Sequence, residues 1–102
     1  MFARATELRI LPGKLEEFTR SFDTIIPSIR RQTGFRALVV LRAAGQAARE
    51  AMVVSVWDSL EDLKESENNL FLYQALARVM GCCEGFPKIH EHEVLVSEFA
   101  AD

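Results

Sequence analysis

FRALVVLRAAGQAAREAMVVSVW, residues 35–57, carries two apolar runs on either side of a small-residue loop. Phe35 to Arg42 and Ala51 to Trp57 are rich in the β-branched and aromatic residues that suit a pleated, half-buried surface. The loop between them, Ala43 to Arg49 with Gly45 inside it, is short, so the two runs predict an antiparallel hairpin. Their centres, Ala37–Leu41 and Met52–Val56, are apolar without regular alternation. A strand with one wet face alternates; strands apolar on both sides lie in a sheet covered on both faces. One layer of helices covers one face, so the other needs a second cover.

Towards the N-terminus, Phe2 to Leu11 alternates loosely and reads as a strand, stopped by Pro12-Gly13. From Lys14 to Gln32 the apolar residues Leu15, Phe18, Phe22, Ile25, Ile26 and Ile29 recur at helical spacing. Glu16 and Glu17 in the first turn and Arg30 and Arg31 in the last complement the helix dipole, and Gly34 marks the stop. Pro27 lies inside and predicts a kink or division near Ile26. Towards the C-terminus, Ser59 to Asp62 has the pattern of a capping box and opens a short helix. Asn68 and Asn69 interrupt it, a second piece runs from Leu70 to Met80, and Gly81 ends that piece. Gly85 to Pro87 reads as a loop, and Lys88 to Phe99 as a last strand alternating along His90, His92, Val94 and Val96.

The order is β-α-β-β-α-β. It predicts an α+β, ferredoxin-like fold with one antiparallel sheet in a single domain spanning residues 1–102. The sheet face left bare is a surface for a second copy, so a homodimer is expected.

Composition narrows the partners. Seven Phe and one Trp in 102 residues supply a core without staples and exclude a disordered chain. With a net charge of −3 and no basic stripe, neither nucleic acid nor an anionic membrane is an expected partner. The apolar runs fall far short of the roughly 18 residues that span a bilayer. Residues 1–10 carry Arg4, Glu7 and Arg9 and lack the apolar centre of a secretory signal, which points to the cytoplasm. Cys82 and Cys83 are adjacent, an arrangement that disfavours a disulfide between them. They read as two reduced thiols; a redox or metal role would need a second cysteine pair that the chain lacks.

Four pieces of sequence, in order, resemble the antibiotic biosynthesis monooxygenase-like family of dimeric α/β barrels. They are Pro12-Gly13-Lys14 with Glu16, Glu17 and Phe18; Pro27 followed by Gln32-Thr33-Gly34-Phe35; Ser55-Val56-Trp57-Asp58-Ser59 with Glu61 and Asp62; and a closing strand of alternating Val and Leu. The resemblance implies two sheets packed face to face across a dimer interface. It also implies a pocket between sheet and helices, holding an aromatic, polyketide-like or quinol-type substrate in some members and haem in others. The oxygenases it implies need no flavin or metal, because an electron-rich substrate itself passes an electron to oxygen. In the resembling enzymes the tryptophan matching Trp57 lines the pocket. The haem-degrading branch has an asparagine near Thr6 and a histidine one helical stretch after Trp57. Here Glu65-Ser66-Glu67-Asn68-Asn69-Leu70 holds no histidine, so haem degradation is disfavoured.

The candidate residues follow. Trp57 offers a flat face to an aromatic ligand and an indole N–H, or else closes the helix onto the sheet as core. Ser55 and Val53 share its strand face by the two-residue period, and Thr6 is placed on the pocket side. Phe22, Asn69 and Tyr73 are candidate contacts from the helices, Tyr73 holding a substrate hydroxyl or standing at the rim in water. His90 and His92 point the same way along one strand. They are candidate general bases alongside Trp57, or else solvated or interface histidines. As a metal pair they lack the third and fourth ligands a stable site needs, so neither metal nor cofactor is expected. Glu7, Arg9 and Arg36 are placed to form ion pairs across the sheet, or equally to decorate the dimer interface. The expected function is a cofactor-independent monooxygenase of a small phenolic, quinol or polyketide-like substrate. The alternatives are a non-catalytic binding module with the same pocket, or a dimerisation domain whose core is filled by Phe22, Phe71 and Met80.

Overall fold

The computed structural model describes residues 1–45 and 47–100. Alternation on the first strand, β1 (Phe2–Ile10), sends Phe2, Arg4, Thr6, Leu8 and Ile10 to one side and Ala3, Ala5, Glu7 and Arg9 to the other. Helix α1 (Leu15–Arg30) lays Phe18, Phe22, Ile25 and Ile29 on the even-numbered side of β1. Strands β2 (Phe35–Arg42) and β3 (Glu50–Trp57) form the expected hairpin. Helices α2 (Leu60–Asn68) and α3 (Phe71–Val79) follow, and β4 (Cys83–Glu93) closes the sheet. All neighbouring strands are antiparallel in the order β2-β3-β1-β4, which is the ferredoxin-like arrangement.

The register sorts the sheet into rows, because directly opposed residues point the same way. Under the helices run Glu93–Phe2–Trp57–Phe35, then Glu91–Arg4–Ser55–Leu38, then Ile89–Thr6–Val53–Val40. On the bare face run His92–Ala3–Val56–Ala37, His90–Ala5–Val54–Val39 and Lys88–Glu7–Met52–Leu41. The bare face is therefore apolar at β2 and β3 and polar at β4. Val39 and Leu41 stay about half exposed there, at 49% each.

Local chemistry explains the joints. Ser59 accepts a hydrogen bond from the Asp62 backbone N–H at 3.1 Å, capping α2 as its sequence pattern predicts. Gly34 turns the chain into β2 at φ +78°, and a Cβ there would collide with the Asp62 side chain. Leu70 joins α2 to α3 at φ +70°, a left-handed conformation that costs a non-glycine residue strain.

Four expectations are corrected. Pro27 does not divide α1. It sits on the exposed side, where water can reach the Asp23 carbonyl that loses its helical donor. Leu15 and Ile26 belong to the exposed side too, at 39% and 37%. Gly85 to Pro87 is not a separate loop. It is absorbed into β4, where the pairing slips between Glu7 and Arg9, and an edge strand with an irregularity tolerates proline. The strand ends at Glu93 rather than Phe99, because Glu93 already pairs with Phe2 and the partner strand stops there. One further bond, Val94 N–H to the Met1 carbonyl at 2.9 Å, completes the ladder.

Candidate active site

Between the sheet and helices α1 and α3 lies a mainly apolar cavity of about 50 Å³. Its helical walls include Phe22, Ile25 and Ile29 from α1 and Leu72 and Val79 from α3. Its floor is the sheet, and the polar side chains there are Arg4, Thr6 and Ser55. A water-sized space requires roughly 10–15 Å³ by this measure, so the cavity has room for a few waters or one small substituent. A larger open groove, about 500 Å³, lies on the bare side and is edged by Glu7, Arg9, Leu41, Phe86 and Lys88. Its Arg9 is paired to Glu50 and Glu84, and its charged rim surrounds an apolar floor that includes Leu41, Met52 and Phe86.

Arg4 is the most unusual residue of the cavity. Its side chain is only 3% exposed, although it is charged and lies in the core layer. The Nη2 donates to the Leu63 carbonyl at 2.9 Å and to Ser66 Oγ at 2.8 Å, and reaches Glu67 Oε1 at 3.4 Å. Ser66 in turn donates to the same Leu63 carbonyl at 2.6 Å, so α2 grips one edge of the guanidinium. The Nε, fully buried, has no partner. Burial pulls the Arg4 pKa below its ordinary value, and Glu67 and Glu91 oppose that pull. Glu91 is itself held below the usual carboxylate range by the hydrogen bond from Lys64, at 2.6 Å.

Trp57 lies fully buried, at 0% exposure, beside this cavity without lining it. Its indole N–H donates to Ser55 Oγ at 2.9 Å. Phe35 meets its ring edge-on at 5.8 Å, and the Arg4 guanidinium sits 5.9 Å from its centroid. Its polar atom and two neighbours are thus already engaged, and it acts on the cavity by holding Ser55 and Arg4. Thr6, Ser55 and Phe22 line the cavity. Asn69 and Tyr73 do not. Asn69 donates to Gln32 Oε1 at 2.8 Å and accepts from the Phe71 backbone N–H at 3.0 Å, pinning the α2–α3 corner to the end of α1. Tyr73 is 61% exposed.

His90 and His92 are placed on the opposite face of the sheet from Trp57, Ser55 and Thr6. Their partners Ala5 and Ala3 are odd-numbered on β1, whereas the cavity takes the even-numbered residues. The rings stand 6.3 Å apart, and His90 Nε2 lies 3.3 Å from Glu7. No group of three or more His, Cys, Asp or Glu side chains gathers at metal-binding distance among the described residues. Cys82 and Cys83 are free and buried, and burial raises the Cys83 thiol above its ordinary value.

Residues 1–80 match the family model described as antibiotic biosynthesis monooxygenase. The chain belongs to that family. No functionally curated protein matches it in sequence. Among solved structures, SnoaB of Streptomyces nogalater, a cofactor-independent oxygenase solved as a point mutant, superimposes with a TM-score of 0.76 at 11% identity, covering 94% of each chain. A point mutant of MhuD, solved with two manganese protoporphyrin IX molecules per active site, gives 0.78 at 19% identity over 98% of this chain and 100% of that one. NE2512 of Nitrosomonas europaea, a protein of unknown function, gives 0.77 at 17% identity over 99% and 95%. These likenesses are of fold.

Within the antibiotic biosynthesis monooxygenase family, haem is one group to test against the residues present. An iron porphyrin needs an axial His, Cys, Met or Tyr. The cavity lining contains none of these, and both histidines lie across the sheet. The residues do not fit haem. The residue that sequence reading missed is Arg4, and its signal was parity: on a strand, Arg4 shares a face with Thr6.

Proposed function

We propose that this chain is a cofactor-independent monooxygenase acting on a small aromatic substrate of phenolic, quinol or anthrone type. The observation that carries the proposal is the cavity between sheet and helices, apolar but for Arg4, Thr6 and Ser55, in a member of this family. An apolar wall holds a flat ring, and a few polar groups orient its oxygen. The chemistry asks little else of the protein. An anthrone methylene gives up four electrons to one O₂; one oxygen atom becomes the new carbonyl and the other leaves as water. The protein binds the substrate, favours its ionised form and keeps bulk water from the intermediates.

The working unit in this proposal is a homodimer. A second copy of the chain covers the bare face, where Val39, Leu41, Met52, Val54 and Val56 form one apolar field. Two free thiols are in keeping with a reducing, cytoplasmic setting, and no helix among the described residues is long and apolar enough to cross a membrane.

Oxygen-electrode measurements with small quinols and anthrones test the activity. The expected result is uptake of one O₂ per anthrone. A second reading, a binding module without turnover, is favoured by the small volume of the cavity. It gains if no such substrate consumes oxygen while Trp57 fluorescence responds to aromatic ligands.

A further inference from the structure

We infer that Arg4 is the anchor for a ligand oxyanion, so that the cavity selects aromatic ligands in their ionised, single-oxyanion form. This rests on the reading of the cavity as a ligand site. The role is distinct from that of a general base, since the ligand arrives ionised or releases its proton to solvent on binding.

A buried charged group is held by the hydrogen bonds it makes, and each unsatisfied buried donor costs desolvation free energy. Among the described residues, every hydrogen bond of Arg4 leaves from Nη2, towards Leu63, Ser66 and Glu67 on α2. Its Nε is buried and unpartnered, the only such side-chain N or O atom among the described residues. Arg4 lines the apolar cavity, so a ligand oxygen bound there would lie beside a guanidinium that has one donor unmet.

Charge points the same way. The acids facing Arg4 are Glu67 from α2 and Glu91 from β4. Glu91 is engaged by Lys64, and Glu67 stands at 3.4 Å with part of its side chain in water. The buried cation is thus only loosely neutralised. Guanidinium stays protonated at any working pH, so its preference for an anion does not titrate away. The face of Trp57 behind it and its bonds to α2 fix the guanidinium in place, so little reorganisation is needed on binding.

The ring has a way in. A crevice of about 20 Å³ on the outside of the α1–α3 seam shares Ile25, Phe71 and Ala75 with the cavity. Ala75 and Leu76 are half-buried on α3, and entry of a whole ring requires an outward displacement of that helix that joins the two spaces.

A nitrophenol is the probe, because its phenolate absorbs visible light, and its methyl ether, nitroanisole, is the control that cannot ionise. The wild-type protein is expected to raise the ionisation constant of the bound phenol about 10- to 1,000-fold, the range for a positive charge within 4–6 Å. It should also bind the phenolate at least about tenfold more tightly than the ether. Arg4→Met, close in volume and apolar, should abolish both effects. Arg4→Lys, which keeps the charge but loses the Nε donor, should retain only part. Glu67→Gln, which removes a competing anion, should strengthen phenolate binding. Equal affinity for phenol and ether in the wild type, an unchanged preference in Arg4→Met, or no binding of either probe overturns the inference. The wild-type measurement stands even if a variant misfolds. An Arg4-dependent preference with no oxygen uptake from any quinol or anthrone defeats the oxygenase and leaves the anchor. Oxygen uptake that Arg4→Met keeps at the wild-type rate at every pH defeats the anchor and leaves the oxygenase.

Discussion

The two faces of the sheet carry polar groups on very different terms. Under the helices, Arg4, Ser55 and Thr6 are each 5% exposed or less, and burying each polar group there carries a desolvation cost. On the bare face His90, Glu7 and Lys88 stand in or near water and carry no such cost. A polar residue in water says little about function, since solvent satisfies it. A charged residue held in the core at a desolvation cost is informative, above all when a donor is left over. That contrast moves the candidate chemistry from the two histidines to a single arginine.

The comparison breaks most visibly at Trp57. Trp57→Ala should destabilise the fold by about 3–5 kcal/mol, as expected when a buried aromatic is truncated to a cavity. Urea unfolding followed by circular dichroism measures it. A loss below about 1 kcal/mol would show that Trp57 is not the brace for Ser55 and Arg4 that its contacts describe. On the other face, Val54→Asp should separate the proposed dimer, because a charge without a partner costs several kcal/mol when buried. Light scattering should report twice the chain mass of 11.5 kDa for the wild type and that mass for the variant. If the wild type itself scatters as a monomer, nothing covers the bare face. Gly34→Ala should cost about 1–3 kcal/mol, since φ +78° and the Asp62 side chain both exclude a Cβ; thermal unfolding reads it.

Ion pairs sharpen the same contrast through pH. Lys64 holds Glu91 below the usual carboxylate range. A carboxylate depressed in the folded state stabilises above its unfolded pKa, and that contribution is lost as pH falls through the folded value. Stability should therefore decline on the acid side of the ordinary carboxylate range, and Lys64→Met should make the decline shallower. An unchanged acid slope in Lys64→Met would assign the effect to other carboxylates.

Much of this fold was legible because its signals are local. The hairpin of residues 35–57, the Ser59 cap and the break at Asn69 follow from neighbours along the chain. What failed depended on partners elsewhere. The alternation of Val94 and Val96 is genuine, but a strand also needs a partner, and β1 ends at Phe2. Pro87 reads as a breaker unless the edge position of β4 is known. The candidate site split for the same reason. Thr6, Ser55 and Phe22 reached the cavity, since strand parity and helical spacing are readable. His90 and His92 agreed with each other in direction, but which sheet face they shared depended on the pairing of β4 with β1. Arg4 was passed over as one charge of a polar N-terminal stretch, although its parity with Thr6 already placed it under the helices.

The smallest expected effect is also the sharpest test of that sorting. His90→Gln and His92→Gln, made together, should leave oxygen uptake unchanged across the pH range in which histidine titrates. The two imidazoles sit in the rows of Ala5 and Ala3, and the sheet itself separates them from Thr6 and Ser55. A general base must come within hydrogen-bond reach of the proton it takes, or within one water of it. Across the backbone layer neither condition holds. Under the proposed dimer the histidines stand beside the apolar field of Val54 and Val56, so their loss is read in the monomer–dimer equilibrium rather than in turnover. As exposed substitutions they should change unfolding stability by no more than about 0.5 kcal/mol. A double variant that folds and dimerises normally but loses turnover would place the chemistry on the bare face and overturn the assignment of the cavity. A double variant that keeps turnover, with its pH profile intact, leaves the buried face as the place where the ligand's charge is handled.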